Sequence, residues 1–398
     1  MLTFITFAAW SAFNQVDHET ADKSLYLKDM PTLLLEHYQN GTFIPVYDSS
    51  ARKTFKTFVI HNGGNNKRNL KQNILILHGQ GSTSFLFRNT IEYLRQANLN
   101  PVLIDLPCFG FSDSLVNCSR SYISDRLGDI LDSLNLDSVH LVMYDMSADI
   151  GMQFADKSPS RVKSVTFVDP IANVDISKQD LYVRIARVPI IGRMIINLAT
   201  SPYVSWIRWK YIQLVYRVEL AQELLDCYAF SLRYRNNINN YIRTITESDL
   251  SYKRTFYLTS SRVSYDVKLP KQVILSTETI GATQGSFIQT KFSMHFVNMA
   301  ESKGFLLPEE MESVFDSHIT VLIDTIDPEL RKVKPEPEPP VRENHGGSGH
   351  GHSHGGGSGH GHSHGSDHGH GHSHGGGGHH GHSHGGGQND YGMGGYGL

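Results

Sequence analysis

The stretch Val139–Gly151, which reads VHLVMYDMSADIG, constrains the fold of this chain more than any other feature. Its first four residues predict a short buried strand, and an apolar-periodic helix follows that extends to about residue 156. A turn at residues 143–147 separates the two, and Asp145 lies at the tip of that turn. Asp adopts the left-handed backbone conformation more readily than most residues, so it suits a turn this sharp. The stretch therefore predicts a strand that turns directly into a helix and presents one carboxylate.

Apolar runs alternate with helical segments on both sides of this turn. Buried strands are predicted at residues 73–77, 101–106, 139–142, 161–168 and 272–276, with a last strand at 311–314. Residues 42–47 and 53–61 alternate polar and apolar side chains, as antiparallel strands do. Strands that alternate with helices of about ten to fifteen residues indicate βαβ units. The sequence thus predicts an α/β fold with a mostly parallel central sheet flanked by helices.

The chain divides into segments of different composition. Residues 175–262 are helical in pattern and rich in aromatic side chains, which predicts a helical cap over the carboxyl ends of the sheet, where open α/β sheets bind ligands. From residue 335 the chain consists mainly of Pro, Glu, Gly, Ser and His, a composition that predicts disorder. The predicted segments are an apolar leader at 1–24, two core parts at 25–174 and 263–334, the cap at 175–262, and a Pro/Glu linker with a His/Gly-rich tail at 335–398.

Charge and cysteine content limit which partners and which kinds of site the chain can have. The 36 basic and 39 acidic residues nearly balance, so there is no electrostatic case for nucleic acid as a partner. The three cysteines lack the spacing of a metal site or a disulfide framework and are predicted to be buried thiols; one pair with a free thiol is the alternative for a secreted chain. The apolar leader is too short to span a membrane. It leaves two locations open, the cytoplasm and a secretory or ER route with membrane association through the N-terminus.

Three further segments accompany the turn. They read NILILHGQGSTSFLFRNTIEYLRQANLNPVLIDLPCFGFSDS at 73–114, RIARVPIIGRMIINLA at 184–199 and DSHITVLIDTIDPE at 316–329. Together with the turn they resemble the α/β-hydrolase group of haloalkane dehalogenases and epoxide hydrolases, with a particular likeness to the mesoderm-specific transcript proteins. The resemblance extends over about residues 25–334. It implies an α/β-hydrolase fold with a helical cap, a small apolar substrate or ligand under that cap, and no cofactor for the hydrolase domain.

The resemblance also implies a mechanism. Asp145 attacks an electrophilic carbon of an epoxide, halide or ester and forms a covalent ester, and His318 then activates the water that hydrolyses it. The backbone amides of Gln80 and Met146 stabilise the developing oxyanion. In this interpretation the chain is a hydrolase in which Asp145 is the nucleophile and His318, following the last strand, is the base.

Two positions depart from the pattern that the resemblance implies. Met143 stands where the tight turn needs a small residue, and its side chain is expected to crowd the turn. Thr279 stands where the acid that orients the histidine is expected. Glu278 and Asp169 are the remaining candidates for that acid.

The sequence leaves a second interpretation open for both Asp145 and His318. Asp145 suits the N-cap of the helix that follows, and His318 suits a structural contact after the last strand. With those roles the chain is a catalytically inactive relative that binds a ligand or a partner under its cap. The oligomeric state stays open.

The tail carries a separate prediction. The heptapeptide GHGHSHG occurs at 349–355, 359–365 and 369–375, and the near copy GHHGHSHG spans 378–385. Imidazoles at alternate positions of a flexible chain bind Zn(II), Cu(II) or Ni(II). The alternative is a soluble spacer with incidental metal affinity. The predicted ligands are His350, His352, His354, His360, His362, His364, His370, His372, His374, His382 and His384.

Overall fold

In the computed structural model of the protein, one sheet organises the fold. Its strands are β1 (Thr42–Asp48), β2 (Lys53–Ile60), β3 (Gln72–Leu77), β4 (Leu99–Ile104), β5 (Val139–Tyr144), β6 (Val162–Val168), β7 (Lys271–Ser276) and β8 (Phe296–Ala300). They lie in the order β1-β2-β4-β3-β5-β6-β7-β8. Strand β2 runs antiparallel to both neighbours, and the other pairs are parallel. The carboxyl ends of β3 to β8 therefore meet along one edge of the sheet.

The structure describes residues 27–61, 72–79, 81–170, 188, 190–192, 194–195, 210, 220–234, 237, 240, 269–276, 296–300, 307–310 and 312–328. All of them belong to one unit, Met1–Glu338. A search of these residues finds no helix that is long and apolar enough to cross a membrane. The predicted leader, most of the predicted cap and the predicted His-rich tail lie outside the described ranges.

Helices cover both faces of the sheet. They are α1 (Thr32–Asn40), α2 (Thr90–Gln96), α3 (Arg120–Ser133), α4 (Ser147–Lys157), α5 (Gln222–Arg233), α6 (Leu307–Glu310), α7 (Glu312–Ile319) and α8 (Val321–Ile326). Alternate residues of β3 pack into two different cores: Ile74 and Ile76 into one, Leu75 and Leu77 into the other. Burial on both faces explains why the central strands read as continuous apolar runs. The predicted α/β fold with a mostly parallel sheet is confirmed.

The prediction of a last strand at residues 311–314 is wrong. Residues 312–319 form helix α7, and the edge strand next to β7 is β8, which pairs with β7 from Gln272↔Phe296 to Ser276↔Ala300. Phe315, Ile319 and Leu322 are buried at spacings of four and three residues, which is the period of a helix. That period extends across α7 and α8 and excludes a strand.

The prediction of three buried thiols is wrong for two of them. Cys108 and Cys118 form a disulfide with their Cα atoms 5.9 Å apart, and it closes the loop between β4 and α3. Cys227 is a free buried thiol, and burial raises its pKa to about 12. The cap holds the same loop, because Asn237 Nδ2 donates to Gly110 O and Asn240 Nδ2 donates to Cys108 O, each at 2.8 Å.

Helix α5 is anchored to the core through Glu309. Arg88 Nη2 donates to Glu309 Oε2 at 3.0 Å, and Arg88 Nη1 donates to the other carboxylate oxygen. The hydroxyl of Tyr228, on α5, donates to Glu309 Oε1 at 2.7 Å. The Arg88 guanidinium also lies 4.2 Å from the centre of the Phe85 ring. These contacts join the segment after β3 to helices α5 and α6.

Candidate active site

The predicted strand–turn–helix forms around Asp145. Strand β5 ends at Tyr144, helix α4 begins at Ser147, and Asp145 between them has φ 54°. The Asp145 N–H donates to Val168 O at 3.0 Å, which ties the turn to the end of β6. Ser147 Oγ lies 3.0 Å from Leu77 O and 2.8 Å from Tyr144 O and donates to these carbonyls. The turn is therefore held to both neighbouring strands, and it places Asp145 at the carboxyl edge of the sheet.

The interpretation of Asp145 as the N-cap of α4 is wrong, because Met146 occupies that position. Asp145 lies one residue earlier, and its carbonyl accepts from Ala148 N at 3.3 Å. Asp145, a half-buried residue, therefore directly precedes the first turn of a helix of 11 residues. The amides of that turn carry partial positive charge, which favours an anion there.

Met143 does not force the turn open. Its side chain is fully buried and packs over Gly151 of α4, where a Cβ atom would lie 2.3 Å from Met143 Sδ and 2.9 Å from Leu141 Cδ2. The helix thus supplies, at Gly151, the space that the strand lacks at residue 143. The expected crowding is relieved eight residues further along the chain.

A glycine also makes room for the Asp145 side chain. A Cβ atom at Gly79 would lie 2.7 Å from Asp145 Cβ, 3.0 Å from Asp145 Oδ2 and 2.6 Å from Tyr144 Cδ1. The backbone after β3 therefore touches the carboxylate directly. Of the two predicted oxyanion residues, Met146 is buried and adjoins Asp145, and Gln80 lies outside the described residues.

Asp169 also lies at the carboxyl edge of the sheet, but its carboxylate is bound by Ser276. It is 6% exposed, has φ 40° and follows β6 directly. Its Oδ1 accepts from Ser276 N at 2.7 Å, and its Oδ2 accepts from Ser276 Oγ at 2.8 Å. The carboxylate thus joins the ends of β6 and β7. The other predicted acid, Glu278, lies outside the described residues.

His318 is not where the prediction put it. It lies in helix α7 rather than after a strand, and its carbonyl accepts from Gln272 Nε2 at 3.3 Å. Through the strand register Gln272 stands level with Thr166 and Val142, three residues before Asp145 and two strands away from it. Three residues of strand span about 10 Å. The backbone of Gln272, whose side chain binds the His318 carbonyl, therefore lies about 10 Å short of the level of Asp145 along the sheet.

A buried pair, His78 and Asp105, lies beside the site. His78 Nε2 accepts from Leu106 N at 3.0 Å, and its Nδ1 lies 2.9 Å from Gly79 O. Because Nε2 needs its lone pair for Leu106, the imidazole is neutral and Nδ1 donates to Gly79 O. Burial lowers the pKa of His78 and raises that of the neighbouring Asp105 carboxyl. His78 therefore fixes the backbone of Gly79 and has no nitrogen left for a role as base.

Asp105 organises the loop that the disulfide closes. Its Oδ1 accepts from Ser84 N and its Oδ2 from Phe111 N, each at 2.7 Å. Gly110 has φ 55°, and a Cβ atom there would lie 2.1 Å from Asp105 Oδ2. The sequence signal for this role is an Asp that ends a buried strand and precedes the Gly-containing loop PCFGFSDS. The loop is thereby fixed next to the segment that carries Gly79.

Among the residues that the structure describes, no group of three His, Cys, Asp or Glu side chains is arranged to hold a metal ion. The predicted metal ligands of the tail lie outside those residues, so metal binding by the tail stays a prediction.

Comparisons with known proteins agree with this fold. Residues 72–261 match the family model described as alpha/beta hydrolase fold. An uncharacterized hydrolase of Saccharomyces cerevisiae is 33% identical over 94 residues, which cover 23% of this chain and 32% of that protein. The 2-hydroxy-6-oxononadienedioate/2-hydroxy-6-oxononatrienedioate hydrolase of Cupriavidus pinatubonensis is 34% identical over 96 residues, which cover 23% of this chain and 33% of that protein. The chain thus spans about a third of the length of these curated relatives.

A solved structure extends the similarity over more of the chain. The epoxide hydrolase of Vigna radiata has a TM-score of 0.53 and 18% sequence identity, and the match covers 72% of this chain and 99% of that one. The particular likeness to mesoderm-specific transcript proteins stays a prediction. The sheet order, the family-model match and this structural similarity agree on an α/β-hydrolase fold for the chain.

Proposed function

We propose that the protein is a divergent α/β-hydrolase-fold enzyme in which the Asp145 carboxylate attacks an electrophilic carbon of an epoxide or a haloalkane. One observation carries the proposal: Asp145 stands at the tip of the turn with φ 54°, beside Gly79 and in front of helix α4. A left-handed conformation costs a non-glycine residue about 1 kcal/mol or more, and such strain concentrates at functional sites. The position of Asp145 at the tip of this turn, at the carboxyl edge of the sheet, supports its assignment as the nucleophile.

The first step needs Asp145, the substrate and, for an epoxide, a water molecule as the proton donor. A carboxylate oxygen forms a bond to the electrophilic carbon, and the bond from that carbon to the epoxide oxygen or the halogen breaks. A halide leaves with the electron pair, and an epoxide oxygen takes a proton from water. The product of this step is an ester between Asp145 and the alkyl group. The half-buried position of Asp145 reduces the hydration of the carboxylate, which favours its attack on carbon.

The second step has weaker support. Water must add to the carbonyl carbon of the ester and release the alcohol, and the N–H of Met146 is proposed to stabilise the oxyanion that forms. The predicted base His318 lies in α7, and both oxygens of Asp169 accept bonds from Ser276. We therefore propose that hydrolysis is slower than alkylation, so that the ester accumulates.

Intact-protein mass spectrometry tests this order of steps. The full chain is incubated with a panel of epoxides and haloalkanes, and the adduct is assigned by peptide mapping. We expect an adduct on Asp145 in the natural chain and none in Asp145→Asn, which keeps the size of the side chain and removes the nucleophile. His318→Gln tests whether His318 is the base that hydrolyses the ester. An adduct yield equal to that of the natural chain would show that it is not, in agreement with its position in α7. A higher yield would show that His318 is the base.

The second candidate is a catalytically inactive relative that binds a ligand or a partner. The position of His318 in helix α7 favours it, because a chain that never completes a turnover needs no base at the sheet edge. No adduct across the whole panel, combined with equal thermal stabilisation of the natural chain and Asp145→Asn by one of the compounds, would establish binding and refute the enzyme.

A further inference from the structure

The acceptor tripeptide for N-linked glycosylation, Asn-X-Ser/Thr, occurs at two places in the chain. They are Asn40-Gly41-Thr42 and Asn117-Cys118-Ser119. Such tripeptides also arise by chance in a chain of this length, so their surroundings in the fold decide their meaning. The structure describes both completely, and in each the asparagine is exposed.

Exposure is not general among the asparagines of this protein. Asn98 and Asn237 are 8% and 4% exposed. Asn40, by contrast, ends helix α1 at the surface, and Asn117 follows Val116, whose side chain is 71% exposed. Both acceptor asparagines therefore lie where a bulky hydrophilic group extends into solvent.

The disulfide gives an independent indication of the compartment. Cys118, the middle residue of the second tripeptide, is bonded to Cys108. Disulfides form and persist in oxidising compartments, among them the ER lumen, and are rare in the cytosol. N-linked glycans are attached in that same lumen. The cysteine pairing and the two acceptor tripeptides therefore both favour a secretory route, which is one of the two locations that the sequence leaves open.

The folded loop limits when Asn117 can be modified. Ser119 N donates to Asn117 Oδ1 at 2.9 Å, a bond to the oxygen that is compatible with a glycan on Nδ2. Ser119 Oγ accepts from Tyr122 N at 3.4 Å, and Cys118 is 4% exposed. A transferase that must bind all three residues therefore cannot reach this tripeptide in the folded protein. Attachment at Asn117 has to precede closure of the Cys108–Cys118 disulfide.

We propose that Asn40 and Asn117 are sites of N-linked glycosylation, and that attachment at Asn117 competes with formation of the Cys108–Cys118 disulfide. The amide Nδ2 forms a bond to the anomeric carbon of a lipid-linked oligosaccharide, and the bond from that carbon to the pyrophosphate oxygen breaks. The pyrophosphate leaves with the electron pair, and Nδ2 loses one proton to a base of the transferase. The modification is independent of the chemistry at Asp145.

Translation of the full chain in the presence of ER microsomes tests the proposal. The products are separated by electrophoresis with and without endoglycosidase treatment. We expect forms of lower mobility that the endoglycosidase removes. Asn40→Gln and Asn117→Gln should each lose one glycan, and the double variant should run as the deglycosylated chain. Asn135→Gln is the control, because Asn135 is exposed but belongs to no acceptor tripeptide, and it should leave the pattern unchanged.

Two cysteine variants test the competition. Cys108→Ser removes the partner of Cys118 and leaves the acceptor tripeptide intact, so it should raise the glycosylated fraction at Asn117 and leave that at Asn40 unchanged. Cys227→Ser removes the free buried thiol and should change neither fraction. A lower stability of these variants does not affect the measurement, because attachment precedes folding.

Each part of the proposal has its own refuting result. The absence of any endoglycosidase-sensitive form, or a pattern that survives in the double Asn→Gln variant, would overturn the glycosylation of Asn40 and Asn117. An equal glycosylated fraction at Asn117 in the natural chain and in Cys108→Ser would overturn the competition with the disulfide. A rise at both asparagines in Cys108→Ser would also overturn it, because the effect would then not depend on Cys118.

Discussion

Adding a methyl group at Gly151 tests how the turn at Asp145 accommodates Met143. The Cβ atom of Gly151→Ala would lie 2.3 Å from Met143 Sδ and 2.9 Å from both Met143 Cγ and Leu141 Cδ2. Carbon atoms pack at about 3.5–4 Å, so the Met143 side chain must leave its position. Ordinarily the replacement of Gly by Ala inside a helix stabilises a protein by about 0.5–1 kcal/mol.

The magnitude follows from two opposing effects. Overpacking of a core costs about 1–3 kcal/mol, which exceeds the gain in helix propensity. We therefore expect Gly151→Ala to lower the free energy of unfolding by about 1–2 kcal/mol. Gly128→Ala is the matched control, since Gly128 also lies inside a helix and its Cβ atom would meet Phe154 Cε2 at 3.7 Å, an ordinary contact distance. That variant should gain about 0.5–1 kcal/mol.

A double-mutant cycle assigns the effect to Met143. Met143→Ala alone leaves a cavity and should cost about 2–4 kcal/mol. In combination with Gly151→Ala the new methyl group enters the vacated space, so we expect the double variant to be about 1–2 kcal/mol more stable than additivity predicts. Urea unfolding followed by circular dichroism measures all four variants, with equal m-values as the requirement for comparison. Additivity within about 0.5 kcal/mol, or stabilisation by Gly151→Ala, would refute the reasoning.

Two further predictions concern stability. Reducing the Cys108–Cys118 disulfide, which spans ten residues, should lower the free energy of unfolding by about 3 kcal/mol, and a Cys108→Ala/Cys118→Ala variant should not respond to reductant. A response of that variant would point to Cys227. Burial lowers the pKa of His140 from 6.5 to about 4 and that of His37 to about 3, so their neutral forms stabilise the fold fully above pH 6.5 and less as the pH falls. The lowered pKa of His140 alone should reduce the free energy of unfolding by about 3 kcal/mol between pH 6.5 and pH 4. Urea unfolding at several pH values should show a smaller loss of stability in His140→Gln than in the natural chain. An equal loss in both proteins would contradict the assignment of this pH dependence to His140.

The central strands could be predicted from the sequence because both of their faces are buried. In β3 the four buried residues, Ile74–Leu77, are all apolar, and in β5 His140 alone interrupts the buried apolar run, so both runs are visible without knowledge of their neighbours. Strand β8 was missed because its five residues, FVNMA, carry an Asn within the run and lie next to no turn signal. Residues 311–314 alone form too short a window to show the helical period that Phe315, Ile319 and Leu322 reveal, so they resemble a strand.

Tertiary partners explain what the sequence could not show at the site. Whether two cysteines pair depends on the distance between their Cα atoms, and ten residues of loop fix no such distance. The space that Met143 needs is provided by Gly151 on the opposite side of the turn, so residue 143 considered alone predicts a clash. Asp145 itself was predictable, because its position depends only on a strand, a turn and a helix that are contiguous in the chain.

Three contacts that help to hold Asp145 in place involve no catalytic base. Ser147 Oγ donates to carbonyls, the Asp145 N–H bonds to Val168 O, and Gly79 leaves room for the carboxylate. Each of these contacts stabilises the packed sheet edge and would persist in a chain that has lost its histidine. A strained aspartate at this turn therefore supports the capacity to form a covalent ester, whereas release of that ester requires a separately placed base. A protein can therefore keep the capacity to form the ester after it has lost the capacity to hydrolyse it. Trapping the adduct on Asp145 measures ester formation without assuming that hydrolysis follows.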